Sequence, residues 1–271
     1  MQNRYAGDIG DFGKFFLLRK LFGDSDYQIG VVWYLFPDES HNNDGIHISY
    51  LCNNEYKNSD KDLIEKLTEV VKNICNRSVA QLETMKLLPN CSNYYSEPLD
   101  FYGYTKNDTK GLASQRKKLR ENWLKKALNY VNECNVVFLD PDNGLEIKSV
   151  PTKARKNAGK YVFYDEVAAF LKNDKTKICV IYHHLSRNDT HQVQIESRAT
   201  ELKQKMLEND VQDCIVFALR FRPYSARAYF ILSAKSEANL LRDKIEEFLT
   251  HSCEDNSVNK KSRWDLCIEV K

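Results

Sequence analysis

The sequence predicts a single α/β domain built on a mostly parallel β-sheet, and three observations support this. Short apolar runs rich in Val, Ile and aromatic residues alternate along the chain with segments of helical periodicity. The 271 residues, 42% of them hydrophobic, are enough to bury one full core. Two of the apolar runs are separated only by "RPYSA", which is too short for a crossover helix, so they predict an antiparallel hairpin near the end of the sheet.

The predicted strands are continuous apolar runs, as expected for strands that are buried on both faces. They are residues 27–36, 135–140, 177–184 and 213–221, then the second hairpin strand "RAYFILS" and a final strand "DLCIEV".

The predicted helices place apolar side chains on one face at helical spacing. The first covers residues 12–22, after a glycine-rich lead, with Asp8 or Asp11 as its cap and Lys14 in its first turn. Later helices are "DKDLIEKLTEVVKNIC", "LRENWLKKALNYV", "YDEVAAFLKN" and residues 192–207 and 236–249. Irregular insertions are predicted near residues 40–60 and 88–112.

Charge and cysteine content narrow the class of protein. The formal net charge of +2 gives no global field that would commit the chain to nucleic acid. No run approaches the roughly 20 apolar residues of a membrane span, and the N-terminus has no apolar signal core, so we expect a cytoplasmic protein without a membrane partner. The eight cysteines include no CxxC pair, which favours reduced core thiols over disulfides or a zinc site.

Polar clusters follow three of the predicted strands, where an open α/β sheet binds its ligand. The first strand is followed by "PDESHNNDG", the second by "PDNGLE" and the third by "HHLSR". We expect Asp38, Asp140, Asp142 and one of the adjacent His183 and His184 to line one pocket, with the segment 7–14 as its rim. Each cluster alone could instead be an ordinary turn or a solvated loop.

The order of these segments resembles a known enzyme family. "NRYAGDIGDFGKFFLLRKL", a strand ending "LDPDNG" and then "VIYHH" resemble bacterial methyltransferases that modify the exocyclic amine of adenine in large-subunit ribosomal RNA. The resemblance implies a Rossmann-like fold, S-adenosylmethionine as cofactor, Lys14 near that cofactor, and Asp140 holding the acceptor amine. Where the family has Pro and an aromatic residue after its Asp-Pro, this chain has Asp142 and Asn143.

Three functions of different kinds remain open from the sequence. In a nucleic-acid amine methyltransferase, Asp140 and Asn143 orient the acceptor, and the cofactor is bound by Asp38 and by the segment that carries Asp8, Asp11 and Lys14. In a hydrolase, Mg²⁺ or Mn²⁺ activates water, with His183 as acid or base. The candidate metal ligands are Asp38, Glu39, Asp140 and Asp142, with Glu146 or the pair Asp165 and Glu166 as further candidates. In a nucleotide sensor, the cleft only binds its ligand.

Basic residues indicate a nucleic acid or nucleotide partner. Arginines interleave with aromatic residues in "ALRFRPYSARAYF", a pattern typical of surfaces that contact phosphates and stack on bases. The helical segment "KGLASQRKKLRENWLKK" is also basic, although a solvated helix face explains it equally well. The predicted nucleic-acid contacts are Arg187, Arg220, Arg222 and Arg227.

Overall fold

The computed structural model describes residues 1–39, 45–72, 76–101, 110–252 and 262–270. Its strands are β1 Ile29–Trp33, β2 Cys91–Tyr95, β3 Val136–Asp140, β4 Gly144–Leu145, β5 Tyr161–Val162, β6 Ile178–His184, β7 Cys214–Phe221, β8 Arg227–Ala234 and β9 Trp264–Val270. Its α-helices are α1 Ile9–Phe22, α2 Asn54–Ser59, α3 Lys61–Val71, α4 Val79–Thr84, α5 Lys110–Tyr130, α6 Tyr164–Leu171, α7 His191–Glu208 and α8 Ala238–Ser252.

Seven strands form the main sheet in the order β2-β1-β3-β6-β8-β7-β9, and β4 and β5 form a small parallel pair beside it. The four strands β2, β1, β3 and β6 run parallel to one another. Strand β8 is antiparallel to both of its neighbours, β6 and β7. The predicted α/β class, mostly parallel sheet and antiparallel hairpin are therefore confirmed. The hairpin does not end the sheet, because β9 pairs with β7 beyond it.

Strand β2 lies within the stretch 88–112, which the sequence predicts to be irregular. Its sequence "CSNYY" lacks the apolar run of a doubly buried strand, and it pairs with β1 alone, at the edge of the sheet. An edge strand can be short and polar because only one of its sides continues the hydrogen-bonded ladder. The correction concerns residues 91–95; residues 102–109 lie outside the described part of the chain.

Hydrophobic clusters lie on both faces of the sheet, which makes three layers. In β1, Val31 belongs to the cluster packed by α1, α3 and α8, whereas Val32 belongs to the cluster packed by α5, α6 and α7. Alternate side chains of one strand thus enter different cores, which explains the continuous apolar runs. The cysteines whose side chains are described are free, and Cys134, Cys179 and Cys214 are buried. Within the described ranges, no helix is long and apolar enough to cross a membrane.

Two arginines of the basic helix α5 are buried inside the protein. Arg120 is fully buried and forms a double ion pair with Glu166 of α6, at 2.6 Å from Nε to Oε1 and 2.8 Å from Nη2 to Oε2. Arg116 is also buried and donates to the carbonyl of Ala154 at 2.5 Å. These two arginines, which the sequence placed on a basic helix face, connect α5 to the chain around α6.

We predict that Glu166→Gln destabilises the fold strongly. The substitution leaves Arg120 buried without its counter-charge, and breaking a buried ion pair in this way costs about 3–5 kcal/mol. Urea unfolding monitored by circular dichroism measures the loss. The control is Glu121→Gln, because Glu121 pairs with Lys117 on the surface with 58% of its side chain exposed. A Glu166→Gln variant as stable as the control would contradict the prediction.

Candidate functional site

A cavity of about 700 Å³ opens at the carboxyl ends of β3 and β6. The segment leading into α1, the loop around residue 47, the residues after β6 and the start of β8 surround it. Because β8 is antiparallel, its first residue lies at the same edge as the ends of β3 and β6. The charged and titratable side chains in the lining include Asp8, Lys14, His47, Asp142, His184, Arg187, His191 and Arg227.

The floor of the cavity is a buried ion cluster centred on Lys14. Asp8 caps α1 by accepting hydrogen bonds from the backbone of Gly10 at 2.7 Å and Asp11 at 3.3 Å. One turn later, Lys14 donates to Asp11 at 3.0 Å and to Asp140 at 2.8 Å. Burial alone would lower the pKa of Lys14, but the two carboxylates outweigh it and hold this pKa well above its usual range. Lys14 therefore stays protonated and joins α1 to the end of β3.

The two aspartates of "DPDNG" have different positions. Asp140 is fully buried against Lys14 and is absent from the cavity lining. Asp142 lines the cavity, and its Oδ2 accepts a hydrogen bond from Gln2 Nε2 at 2.8 Å. The other oxygen, Oδ1, is buried without a hydrogen-bond partner, with the amino group of Met1 3.9 Å away. Asp142, together with Asn143, is thus the part of the motif that a ligand can reach.

The carboxylates that follow β1 do not join Asp142 in this cavity. Asp38 is exposed and accepts a hydrogen bond from the backbone of Arg4 at 3.2 Å, and Glu39 forms an ion pair with Lys160 at 2.5 Å. Neither contributes to the described lining. The expected pocket shared by Asp38, Asp140 and Asp142 is therefore not found. His41 and Asp44, from the same predicted cluster, lie outside the described residues.

These carboxylates do not fit a divalent metal site. Asp140 is bound to Lys14, and Glu39 to Lys160, so amino groups already neutralise them. In the described part of the chain, no group of three or more His, Cys, Asp or Glu side chains is arranged to hold a metal ion.

The crevice between the ends of β1 and β3 is filled by the chain itself. The amino group of Met1 donates to the carbonyls of Tyr34 at 2.9 Å and Asp140 at 3.3 Å, and the backbone of Phe36 donates to the carbonyl of Met1 at 2.8 Å. In an open α/β sheet, a crevice of this kind at the carboxyl ends of the strands is a common ligand-binding site. The groups predicted to bind S-adenosylmethionine, Asp8, Asp11, Lys14 and Asp38, all have partners within the chain. In this arrangement the crevice admits that cofactor only if the N-terminal segment moves out of it.

Two of the four predicted nucleic-acid contacts line the cavity. Arg187 is exposed at the cavity, whereas Arg227 is only 5% exposed. Arg227 donates to the carbonyl of Ser225 at 2.7 Å, but its Nε is buried without a hydrogen-bond partner. Arg220 and Arg222 lie elsewhere and bind Asp265 of β9, at 3.0 Å and 3.1 Å.

An aromatic pair at the cavity was not singled out from the sequence. The rings of His47 and Tyr224 lie 4.6 Å apart, and the hydroxyl of Tyr224 lies 2.8 Å from that of Ser49. Tyr224 adopts φ +59°, a left-handed conformation that is uncommon for a non-glycine residue, and its side chain is 55% exposed. The only sequence signal for Tyr224 was the mixture of arginines and aromatic residues around the hairpin turn.

His183 is a structural residue rather than a catalytic one. Its Nδ1 accepts a hydrogen bond from the backbone of Leu145 at 3.1 Å, whereas the neighbouring His184 lines the cavity. Gly144, at φ +112°, allows this approach, because a Cβ there would lie 2.1 Å from Nδ1 of His183. Burial, followed by the charge of Arg198, lowers the pKa of His183 to about 3. His183 therefore remains neutral near neutral pH, and its one nitrogen that could take up a proton already accepts a hydrogen bond from the backbone.

We predict that His183 makes the fold sensitive to acid. Unfolded histidine takes up a proton near pH 6.5 and folded His183 near pH 3, so the unfolded chain binds more protons between these values. The free energy of unfolding is therefore highest above the pKa of the unfolded histidine. It decreases by about 1.4 kcal/mol per pH unit as the pH falls from that pKa towards the pKa of folded His183.

Urea unfolding at several pH values between 4 and 7 measures this effect. His183→Gln, which keeps an acceptor for the backbone of Leu145, should have a shallower dependence of unfolding free energy on pH than the parent protein. His184→Gln, at the exposed neighbour, should keep the parent slope. Equal slopes for all three proteins would show that His183 does not have the lowered pKa.

Comparisons with known proteins give no family for this chain. No protein-family model matches it, and a search of curated proteins finds no match. The resemblance to amine methyltransferases therefore stays a prediction, and the function has to be argued from the groups that line the cavity.

Proposed function

We propose that the cavity binds one unpaired nucleotide of a nucleic acid and that the protein acts on the exocyclic amine of its base. One observation carries this proposal: Asp142 Oδ1 and Arg227 Nε are both buried at this cavity without a hydrogen-bond partner. Leaving a buried acceptor or donor unsatisfied costs about 1–3 kcal/mol for each group. A ligand that carries both an acceptor, such as a phosphate oxygen, and an N–H donor would satisfy both.

The basic groups of the cavity suit a phosphate. Arg227, Arg187 and Lys14 line it, and the first turn of α1 contributes the positive end of its dipole. For Arg227, burial would lower the pKa, but Tyr182 and Asp8 outweigh it and raise this pKa, so the guanidinium remains charged. Arginine binds phosphate through planar, paired N–H donors, which supports its role as the phosphate anchor.

The remaining groups suit a base that has left its duplex. The rings of His47 and Tyr224 offer stacking surfaces, which are typical of sites for unpaired bases. Asp142 can accept a hydrogen bond from an exocyclic amine, with Asn143 beside it in the lining. This selects adenine, cytosine or guanine over uracil or thymine, which present no exocyclic amine. Such a substrate agrees with the cytoplasmic location that the sequence predicts.

Methyl transfer to that amine is the candidate reaction, and two observations favour it. The two segments that carry the resemblance to methyltransferases, around Lys14 and Asp140, meet through a direct ion pair. The chain passes from β1 to β2 on one side and returns to β3 on the other, which is the strand reversal of a Rossmann-like sheet. S-Adenosylmethionine would supply the methyl group, but Met1 and Gln2 would first have to leave the crevice at this reversal. A sensor that binds the nucleotide without reaction has no comparable support.

We predict that the protein prefers cytidine 5′-monophosphate to uridine 5′-monophosphate, because cytosine has an exocyclic amine at position 4 where uracil has a carbonyl. The two bases also differ at N3, which carries a hydrogen only in uracil. A hydrogen bond to a charged group contributes about 1.5–3 kcal/mol, so the preference should be tenfold or more. Asp142→Asn should abolish most of this preference, because the neutral amide presents both a donor and an acceptor. Titration calorimetry gives the affinities of both ligands for each protein.

The matched control is Asp38→Asn, which removes a carboxylate that lies outside the cavity lining. It should keep the parent preference for the cytidine nucleotide. Equal binding of both nucleotides by the parent protein would disprove the assignment of Asp142, and loss of the preference in Asp38→Asn would place the recognition elsewhere.

We also predict that S-adenosylmethionine binds with micromolar affinity, about −8 kcal/mol, if methyl transfer is the reaction. Gln2→Ala should bind it several-fold more tightly, because Gln2 holds the N-terminal segment in the crevice through Asp142 at 2.8 Å and Glu39 at 3.1 Å. Calorimetry without nucleotide measures both constants. If neither protein binds S-adenosylmethionine, the proposal of methyl transfer is rejected, whereas the proposal of a nucleotide site still stands.

A further inference from the structure

A second cavity, of about 740 Å³, lies beside the first at the same edge of the sheet. Asn143, His184 and Ser186 line both cavities, so the two share a wall of side chains. We propose that this second cavity binds the neighbouring nucleotide of the same strand, and that the substrate therefore presents at least two consecutive unpaired nucleotides. The inference rests on the proposed function of the first cavity.

The size of the two cavities supports this assignment. A site for one small ligand has a volume of about 300–1,000 Å³, so each cavity alone can hold one nucleotide. A free nucleotide in the first cavity would leave the second without a ligand. A chain that crosses the wall formed by Asn143, His184 and Ser186 would occupy both.

The lining of the second cavity has the chemistry of a base site. Ile147, Tyr161 and Val193 provide apolar and aromatic surface, and the side chain of Val193 is 47% exposed. Asn188 and Ser197 add groups that can donate or accept hydrogen bonds. Stacking on such surfaces tolerates any base, because every base has an aromatic face.

The wall between the cavities is held by hydrogen bonds. Gln194 of α7 accepts from the backbone of Ser186 at 3.0 Å and donates to the carbonyls of Ser186 at 3.0 Å and Asp189 at 2.7 Å. These bonds fix the residues after β6 against the first turn of α7. The second cavity is therefore a built part of the site.

Basic side chains line both cavities. Arg187 lines the first cavity and Lys148 the second, and both are exposed. Arg198 lies deeper and is held by Glu201 at 2.8 Å and by the carbonyl of Glu146 at 3.1 Å. Asp189 and Glu201 also line the second cavity, and Glu201 pairs with Arg198. A polynucleotide backbone would meet Arg187 at the first cavity and Lys148 at the second, as expected for sites that follow a single strand.

The test compares cytidine 5′-monophosphate with a single-stranded tetracytidylate by calorimetry. We expect the tetranucleotide to bind at least tenfold more tightly, since stacking of one further base contributes about 1–3 kcal/mol. Val193→Asp places a negative charge and no stacking surface in the second cavity, and it should remove this gain while leaving the mononucleotide affinity unchanged. The matched control is Thr200→Asp, at an exposed position of α7 that lines neither cavity.

The outcomes separate this inference from the proposed function. Equal affinities for the two ligands, or a gain that survives in Val193→Asp, would overturn the second site while the nucleotide site stands. A loss of the gain in Thr200→Asp as large as in Val193→Asp would also overturn it, because the charge would then act without regard to the cavity. Failure of both ligands to bind would overturn the proposed function itself.

Discussion

The ion cluster of Lys14 with Asp11 and Asp140 is the constraint on which the rest of the site depends. A buried ammonium is tolerated only where opposite charges and hydrogen bonds replace the lost water, so Lys14 fixes the start of α1 against the end of β3. Asp8 and Gly10 are thereby placed at one side of the cavity, and Pro141 to Asn143 at the other. The cleft is thus shaped by an ion cluster of which Lys14 lies in the lining, whereas Asp11 and Asp140 do not.

The same cluster explains why an acidic motif lines a cavity with basic character. Asp140 is neutralised beneath the floor by Lys14, and Glu39 is neutralised outside the cavity by Lys160. Asp142 and Asp8 are the aspartates that remain in the lining, facing two arginines, a lysine and three histidines. In the fold, the carboxylates that suggest a metal site in the sequence are separated: Asp140 and Glu39 are bound to lysines, and Asp142 lines the cavity.

Much of the fold was predictable because burial on both faces produces unbroken apolar runs, as in β3 and β6. Strand β2 was not, since an edge strand such as "CSNYY" carries no such signal. The alternation of side chains in β6 predicts that at most one of His183 and His184 reaches the cleft. His184 lines the first cavity, whereas both histidines line the second. Asp38 turns outward, and Arg220 pairs with Asp265. Both placements depend on contacts between segments that are distant in the sequence, so no local sequence pattern predicts them.

Arg227 lies at the start of the antiparallel strand β8, so the site can form only after β8 has been synthesised. The cavity combines the start of the chain, near Gly10, with the turn that begins β8, and Asp142 comes from between them. During synthesis Asp142 is made first and Arg227 later, after the strands β4 to β7 and the helices α6 and α7. A chain that ends before β8 would contain Asp142 and the amino groups near it, those of Met1 at 3.9 Å and Lys160 at 3.7 Å, but it would lack Arg227. The cavity therefore acquires its full lining only after β8 has been made and has paired with β6.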